Sequence, residues 1–343
     1  MNSWQRILAN AVTSSDVLME RLGLDANEVL GVDHTPDFSM RVPEPFITRM
    51  VPQDPRDPLL RQVLSIVDER QVMPGFIADP LDEFGGPLSG VLHKYRSRVL
   101  LIYRGGCAIN CRYCFRRYFP YQEQTLTSRD IDALVDYLTK HPEVNEVILS
   151  GGDPLMADDS SISQLFSRIE SIPTIKRLRV HSRLPVVIPE RVTESLCEVI
   201  ASTRLPVVMV LHINHANEID ASVVSAVGKL RQVCRSVLNQ AVILKGVNDT
   251  AECLVALSER LFEAGIDPYY LNVLDRVAGA HHFDVTDGEV ADLHRALLNA
   301  LPGYLVPKLV REVPGAGHKV QWKEAAPPDN CGQHQFMRRP SAR

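Results

Sequence analysis

The feature that most constrains the fold is an alternation of short apolar segments with helical patterns, which begins near residue 94. The apolar segments are rich in β-branched residues and occupy residues 98–103, 146–150, 177–182, 206–213, 241–246 and 269–275. Helical periodicity fills the stretches between them, for example residues 128–141, 161–172, 189–202 and 250–265. Near-continuous apolar strands that alternate with helices predict a parallel sheet covered by helices. Six such units favour a partial (β/α)6 barrel over a two-halved dinucleotide-binding fold.

The segments on either side of this region differ from it in composition and in hydrophobic pattern. Residues 1–93 are rich in proline and acidic side chains, and helical patterns at residues 4–22 and 57–69 predict a mainly helical N-terminal extension. Residues 94–305 form the predicted barrel core. Residues 306–343 form a C-terminal segment whose end, from residue 325, is typical of a loose tail.

Composition excludes several classes of function. The net charge of −5 argues against a nucleic-acid-binding protein, because neutralising phosphates requires an excess of Lys and Arg. No apolar run approaches the length of about 18 residues that a membrane-spanning helix needs, so no membrane partner is expected. The first residues lack the charged-then-apolar order of a secretory signal, which favours a cytoplasmic location.

Unusual residues follow the ends of several predicted strands. Strand one leads to Cys107, strand two to the sequence SGGDP, strand three to HSR, strand four to HINH, and strand six to Asp275. In parallel α/β folds, catalytic groups gather where strands end and loops begin. The coincidence predicts one large active site at that edge of the sheet.

Three of the seven cysteines lie within eight residues, at Cys107, Cys111 and Cys114. Thiolates this close can hold a soft metal centre. A structural zinc site needs a fourth ligand, and the next cysteine, Cys197, lies in a predicted helix. Three cysteines suit a [4Fe–4S] cluster with one iron open to another ligand, whereas the alternative interpretation is three reduced cysteines in a loop.

The CxxxCxxC loop resembles the signature of the radical S-adenosylmethionine (SAM) enzymes, whose partial barrel matches the six predicted units. The resemblance implies that the open iron chelates SAM and that the cofactor is cleaved to a deoxyadenosyl radical. It places the glycine motif that receives SAM at the end of strand two, and it implies further SAM contacts in the sequences HINHANE and LNQAVILKGVND. The residues at these positions are Ser150, Gly151, Gly152, Asp153, His212 and Gln240.

A second anchor is the glycine-rich stretch at residues 313–319, which ends in Lys319. On its own this lysine is most simply exposed, and the stretch lacks the phosphate-loop pattern. The chain as a whole resembles the lysine 2,3-aminomutase family, which implies that Lys319 forms the internal aldimine with pyridoxal 5′-phosphate (PLP). The same resemblance assigns the PLP phosphate to Lys94, Tyr95 and Arg98, with Lys94 in a position where relatives commonly have arginine.

Three further residues would bind the substrate if the resemblance holds. Arg116 is matched to the residue that binds the substrate carboxylate, and Asp275 and Glu312 are matched to the pair that holds the ε-ammonium of lysine. Arginine suits a carboxylate because its planar donors pair with both oxygens. Glu312 is one methylene longer than the aspartate usual in the family.

The resemblance is strongest to the short bacterial branch of the family. It implies conversion of L-lysine to (R)-β-lysine, which a lysyltransferase-like ligase attaches to elongation factor P, and an electron donor such as flavodoxin or ferredoxin. One alternative is a stand-alone metabolic aminomutase, acting on lysine or on another amino acid such as glutamate. The alternative from another class is a non-catalytic metal-binding module that binds nucleic acid or a protein, which the acidic balance disfavours.

Overall fold

The computed structural model describes residues 2–25, 29 and 31–322, and the predicted loose tail lies outside the described residues. The helices are α1 (Ser3–Ala9), α2 (Ser15–Leu22), α3 (Glu44–Ile47), α4 (Pro58–Arg61), α5 (Ile131–Lys140), α6 (Asp159–Glu170), α7 (Leu184–Val187), α8 (Glu194–Ser202), α9 (Ala221–Val233), α10 (Ala251–Glu263) and α11 (Asp287–Ala300). The strands are β1 (Val91–Tyr95), β2 (Arg98–Arg104), β3 (Glu146–Gly151), β4 (Arg177–Ser182), β5 (Val207–His212), β6 (Ser236–Val242), β7 (Asp267–Asn272), β8 (Lys308–Arg311) and β9 (Val320–Gln321).

The nine strands form one sheet in sequential order from β1 to β9. Strands β2 to β8 pair in parallel, whereas β1 and β9 are antiparallel to their inner neighbours. Helices α5 to α11 connect the parallel strands. This arrangement confirms the predicted α/β partial barrel. A seventh parallel strand, β8, extends it, and this strand comes from the segment that was predicted to follow the core.

The two faces of the parallel strands differ. The outer face packs in the hydrophobic core, whereas the inner face lines a cavity. On β4, Leu178 and Val180 are buried in the hydrophobic core, whereas Arg179 and His181 are half-buried and line the cavity. Helices cover the outer face with apolar residues at helical spacing. On α6 these are Ile162, Leu165, Phe166 and Ile169. The outer layer therefore supplies the apolar packing, and the inner face is free to carry polar groups.

Strand β6 differs from the predicted segment at residues 241–246. The strand begins at Ser236 and ends at Val242. The prediction missed its first half because the polar side chains of Asn239 and Gln240 interrupt the apolar run. Asn239 is buried, where its amide accepts a hydrogen bond from the backbone of Ile213 and donates one back, at 2.9 and 3.0 Å.

The N-terminal segment is less helical than predicted. Residues 4–22 form two helices rather than one, because the backbone of Val12 between them pairs with Val42 through two hydrogen bonds of 2.8 Å. The predicted helix at residues 57–69 is reduced to α4, capped by Asp57, and a 3-10 turn at Val67–Arg70. Between these two elements the backbone is not helical, because Ile66 forms an isolated β-bridge with Val32.

The N-terminal segment packs directly on the barrel. Trp4, Phe46 and Leu59 belong to the same buried cluster as the outer faces of the strands. The guanidinium of Arg49 donates hydrogen bonds to the carbonyl oxygens of Glu218 and Val186, at 2.5 and 2.7 Å. No helix in the described ranges is long and apolar enough to cross a bilayer.

Candidate active site

One cavity of about 310 Å³ lies where the parallel strands end. Every residue that the sequence nominated lines it: Lys94, Tyr95, Arg98, Cys107, Cys111, Cys114, Arg116, Ser150, Gly151, Gly152, Asp153, His212, Gln240, Asp275, Glu312 and Lys319. The structure therefore brings all of these side chains together. Their individual contacts decide what each one can do.

The three clustered cysteines lie in the loop that follows β2. Burial raises the pKa of Cys107 well above its ordinary value, and the neighbouring thiol of Cys114 raises it further. Burial and the nearby Cys111 raise the pKa of Cys114 to about 11. Thiols that repel each other's ionised forms in this way need a positive centre before they all become thiolates.

The three thiols supply the donors that an iron–sulfur cluster takes, since such a cluster is held by cysteine thiolates spread around several irons. The guanidinium of Arg183, 2.7 Å from the Sγ atom of Cys111, adds positive charge beside the sulfurs.

The glycine turn after β3 lies against the loop that carries the cysteines. Gly151 has a φ of +107°, a backbone conformation that favours glycine. A Cβ atom on Gly152 would lie 2.5 Å from the carbonyl oxygen of Gly106 and 2.8 Å from that of Arg104. Both glycines are therefore required by the close approach of the two loops, which forms the wall of the cavity next to the thiols.

Asp153 fixes this turn to the next strand. Its carboxylate oxygens accept hydrogen bonds from the hydroxyl of Ser182 at 2.7 Å and from the backbone N–H groups of Leu155, Arg183 and Leu184 at 2.8–3.0 Å. Burial raises the pKa of Asp153, and these hydrogen bonds oppose that shift. The carboxylate thus has a structural task, and its predicted contact with SAM stays a prediction.

His212 and Gln240 lie side by side, because β5 and β6 pair them in register. The Nε2 atom of His212 is 2.9 Å from the hydroxyl of Tyr113, and the two rings stack with centroids 5.7 Å apart. Burial lowers the pKa of His212 to about 3, so the imidazole is neutral at physiological pH. A neutral, stacked histidine suits contact with an aromatic cofactor, and the predicted SAM contacts of this pair stay predictions.

Another part of the cavity wall carries a lysine and two carboxylates. The hairpin of β8 and β9 brings Lys319 beside Glu312, and the Nζ atom is 2.9 Å from Oε2 of Glu312. The same Nζ donates to Oδ1 of Asn272 at 3.1 Å. Burial raises the pKa of Asp275 to about 7, while the charge of Lys319 opposes this shift. This wall therefore already holds one alkylammonium group, which belongs to the chain itself.

Glu312 also accepts a hydrogen bond from the hydroxyl of Tyr95. Burial would raise the pKa of Glu312, but Lys319 and this hydroxyl outweigh it, and the pKa lies below its ordinary value. The carboxylate is consequently ionised at neutral pH and suited to binding a cation. The guanidinium of Arg98 lies 4.1 Å from the centre of the Tyr95 ring, and within the described ranges it forms no ion pair. A free cation at this position fits a phosphate group.

Arg116 and Lys94 share a partner that the sequence did not nominate. Glu83 accepts hydrogen bonds from Nε and Nη2 of Arg116 at 2.6 and 3.2 Å, and it lies 2.9 Å from the Nζ atom of Lys94. Arg183 and Asn272 were missed as well. The HSR triplet at the end of strand three was a usable signal for Arg183. Glu83 gave none, since it lies in an irregular acidic segment before β1 that carries no motif.

Comparisons with known proteins agree with this geometry. The model of the Radical SAM superfamily matches residues 101–276. An L-lysine 2,3-aminomutase of Escherichia coli is 51% identical over 92% of this chain and 93% of its own length. That of Haemophilus influenzae is 46% identical over 94% and 96%, and that of Clostridium subterminale is 31% identical over 93% and 77%. The chain therefore belongs to the lysine 2,3-aminomutase family of the radical SAM superfamily.

Proposed function

We propose that the protein is an L-lysine 2,3-aminomutase that converts L-lysine to (R)-β-lysine with a [4Fe–4S] cluster, SAM and PLP. The observation that carries the proposal is the composition of the cavity. Its lining includes the three thiols and the glycine turn, and also Lys319, whose ammonium group contacts Glu312, together with Asp275. A radical source and an imine-forming lysine thus face the same space of about 310 Å³.

Each cofactor has residues that fit it. Cys107, Cys111 and Cys114 would hold the cluster, and Arg98 with Lys94 would hold the PLP phosphate. When bound, the cluster and SAM supply a carbon radical, and PLP supplies a π-system that delocalises an unpaired electron. The protein positions these groups and excludes water from the buried cavity.

The two ends of the substrate would be bound by opposite charges. Arg116 is buried at one side, where its guanidinium can pair with the substrate carboxylate. Glu312 and Asp275 line the same cavity, and the contact of Glu312 with Lys319 shows that an alkylammonium group is accepted there. A distal pair of anions favours lysine over an acidic or apolar amino acid, because only lysine brings a second cation to that part of the cavity.

The product would serve a protein modification. We propose that (R)-β-lysine is passed to a lysyltransferase-like ligase that attaches it to elongation factor P in the cytoplasm, and that flavodoxin or ferredoxin reduces the cluster. The support is the similarity to the short members of the family over nearly their whole length. A stand-alone metabolic aminomutase is the competing assignment, and deletion of the gene separates the two. Loss of β-lysine from elongation factor P supports the first, and an unchanged modification contradicts it.

Substrate choice is tested by an anaerobic assay of the reconstituted enzyme with L-lysine and, separately, L-glutamate. Because Glu312 and Asp275 repel a distal carboxylate, we expect conversion of lysine to exceed that of glutamate by at least two orders of magnitude. Chromatography of the derivatised amino acids measures both products. A glutamate rate equal to or above the lysine rate would contradict the proposal.

A further inference from the structure

Glu83 is a buried carboxylate of the cavity that has neither the structural task of Asp153 nor a task in the proposed function. Its side chain belongs to the irregular segment before β1, and the residue is 5% exposed. The segment is well fixed. The carboxylate of Asp79 accepts hydrogen bonds from the backbone N–H groups of Glu83 and Phe84 at 2.8–2.9 Å. Further upstream, the backbone of Ile77 donates to the carbonyl oxygen of Arg276 at 3.0 Å, next to Asp275.

The contact between Glu83 and Arg116 uses one edge of the guanidinium. Oε2 of Glu83 lies 2.6 Å from Nε, and Oε1 lies 3.2 Å from Nη2. The remaining terminal nitrogen, Nη1, is 3.3 Å from the hydroxyl of Ser150 and 3.4 Å from the carbonyl oxygen of Gly151. These four contacts engage four of the five N–H donors of the guanidinium, and the fifth, on Nη2, is left over. The two contacts of Nη1 are the longest, so a second carboxylate on the Nη1–Nη2 edge would use the remaining donor and replace these two weak contacts.

The charges on these groups are stable. Burial would raise the pKa of Glu83, but the charges and hydrogen bonds of Arg116 and Lys94 outweigh it, and the pKa lies below its ordinary value. Burial likewise opposes the charge on Arg116, but Glu83 outweighs it and raises the pKa of the guanidinium. Lys94 is also anchored through a hydrogen bond of 2.8 Å to the carbonyl oxygen of Leu81. Two cations around one anion leave a net positive charge toward the cavity.

We propose that Glu83 is a positioning residue. It binds the Nε–Nη2 edge of the Arg116 guanidinium, so that the other edge, formed by Nη1 and Nη2, faces the substrate carboxylate. This inference rests on the proposed function, in which Arg116 binds that carboxylate. Without Glu83 the long arginine side chain would regain several rotamers, and substrate binding would have to restrict them again. Glu83 binds the Nε–Nη2 edge of Arg116, whereas the substrate carboxylate would bind the edge formed by Nη1 and Nη2. Glu83 therefore assists substrate binding and does not compete with the substrate for Arg116.

The experiment compares the wild type with E83Q by titrating the PLP-loaded, cluster-containing protein with L-lysine in the absence of SAM. The absorbance of bound PLP reports binding without turnover. We expect E83Q to weaken L-lysine binding about tenfold and to leave the binding of L-lysinamide, which lacks the carboxylate, within twofold of the wild type. D82N is the matched control, because Asp82 is the exposed neighbour and its positive φ of 53° suits asparagine.

A double-mutant cycle links the effect to Arg116. In the R116Q background, E83Q should cause no further loss of lysine binding, because the group that Glu83 positions is absent. Independent losses that add would overturn the inference. Should E83Q fail to fold, as judged by circular dichroism, E83D keeps the charge with a side chain one methylene shorter. It should then show a smaller loss that is still confined to L-lysine.

Other outcomes also decide the matter. Equal weakening for lysine and lysinamide would indicate general damage to the site and would overturn the inference. Unchanged or tighter lysine binding in E83Q would overturn the inference too. Tighter binding is what is expected if the Glu83 carboxylate competes with the substrate carboxylate for Arg116. A wild type that binds no lysine would contradict the proposed function together with the inference. A wild type that binds lysine, with no selective effect of E83Q, would contradict the inference alone.

Discussion

The charge state of a single residue in this cavity depends on its burial and neighbours as much as on the residue type. Asp275 and Glu312 line the same wall, yet burial raises the pKa of Asp275 to about 7, whereas Lys319 and Tyr95 keep the pKa of Glu312 low. Glu312 is thus the permanent anion of the pair. Asp275 changes its charge near physiological pH, and the two carboxylates make separate predictions.

The first prediction concerns pH. A carboxyl group with a raised pKa is protonated and neutral below that pKa, so Asp275 stops attracting the substrate ammonium as the pH falls through 7. We expect kcat/KM for L-lysine to fall toward tenfold per pH unit below about 7 and to level off above it, because this quantity reports the free enzyme. D275N should lack this inflection. A wild-type profile that is flat between pH 5.5 and 8 would contradict the assignment.

The second prediction concerns Glu312. E312Q removes the charge that contacts Lys319 and, in the proposed function, the substrate ammonium. We expect KM for L-lysine to rise about 30-fold, which corresponds to ~2 kcal/mol, because one partner of a half-buried charge pair is lost. Steady-state kinetics measure the change. E123Q, at an exposed position outside the cavity, is the control and should leave KM unchanged.

The third prediction concerns the glycine turn. In G152A the new Cβ atom would lie 2.5 and 2.8 Å from two backbone carbonyl oxygens, which cannot move independently of the cysteine loop. We expect a loss of about 3 kcal/mol in the free energy of unfolding of the apoprotein, measured by urea denaturation. G106A is the matched control, because a Cβ atom there meets nothing within 4 Å. Similar losses in both variants would show that the cause lies elsewhere.

At the scale of secondary structure, strands were harder to predict from the sequence than helices, because polar residues on the inner strand faces interrupt the apolar runs. The helices α5, α6, α8 and α10 follow their apolar periodicity and were expected near their observed places. Strand β6 was misplaced because Asn239 and Gln240 interrupt the apolar run, although a barrel interior accommodates such residues. Strands β1 and β9 are antiparallel additions, each paired with the neighbouring strand along the chain, and the sequence analysis predicted neither. Strand β9 has two residues, which is too few for a recognisable strand pattern.

Strands β3 and β4 are coupled at their ends through a single side chain, which gives the fourth prediction. Asp153 accepts four hydrogen bonds from the segment after β3 and from the start of the segment after β4. D153N replaces one acceptor by a donor that would face N–H groups. We expect a loss on the order of 3 kcal/mol in the free energy of unfolding, measured by urea denaturation. Stability equal to that of the wild type would show that the carboxylate is dispensable for the fold.

At the scale of the whole molecule, the N-terminal segment and the barrel share one core. Trp4 is buried and lies under the guanidinium of Arg191, 4.8 Å from the ring centre. Gln62 reaches into a buried polar network around Arg183 and Glu218, with contacts of 2.7 and 3.2 Å. The sequence indicated a mainly helical N-terminal extension but not this network, because the network depends on contacts between residues more than 100 positions apart.

The fifth prediction follows from this shared core. The chain has two tryptophans, Trp4 and Trp322, so the variant W322F leaves Trp4 as the sole tryptophan reporter of the N-terminal segment. We expect its fluorescence and the far-ultraviolet circular dichroism of the barrel to change in one coincident transition on heating. An earlier transition at Trp4 would show that the N-terminal segment unfolds by itself.

The central claim is that one cavity unites a radical-generating cluster with a PLP-bearing lysine to rearrange L-lysine. The most direct test incubates the reconstituted protein anaerobically with L-lysine, SAM, PLP and a reductant, and identifies the product by chiral chromatography. The account predicts (R)-β-lysine from the wild type and none from C107A or K319A, each of which removes an essential group. Absence of β-lysine from wild-type protein that is fully loaded with cluster and PLP would contradict the claim.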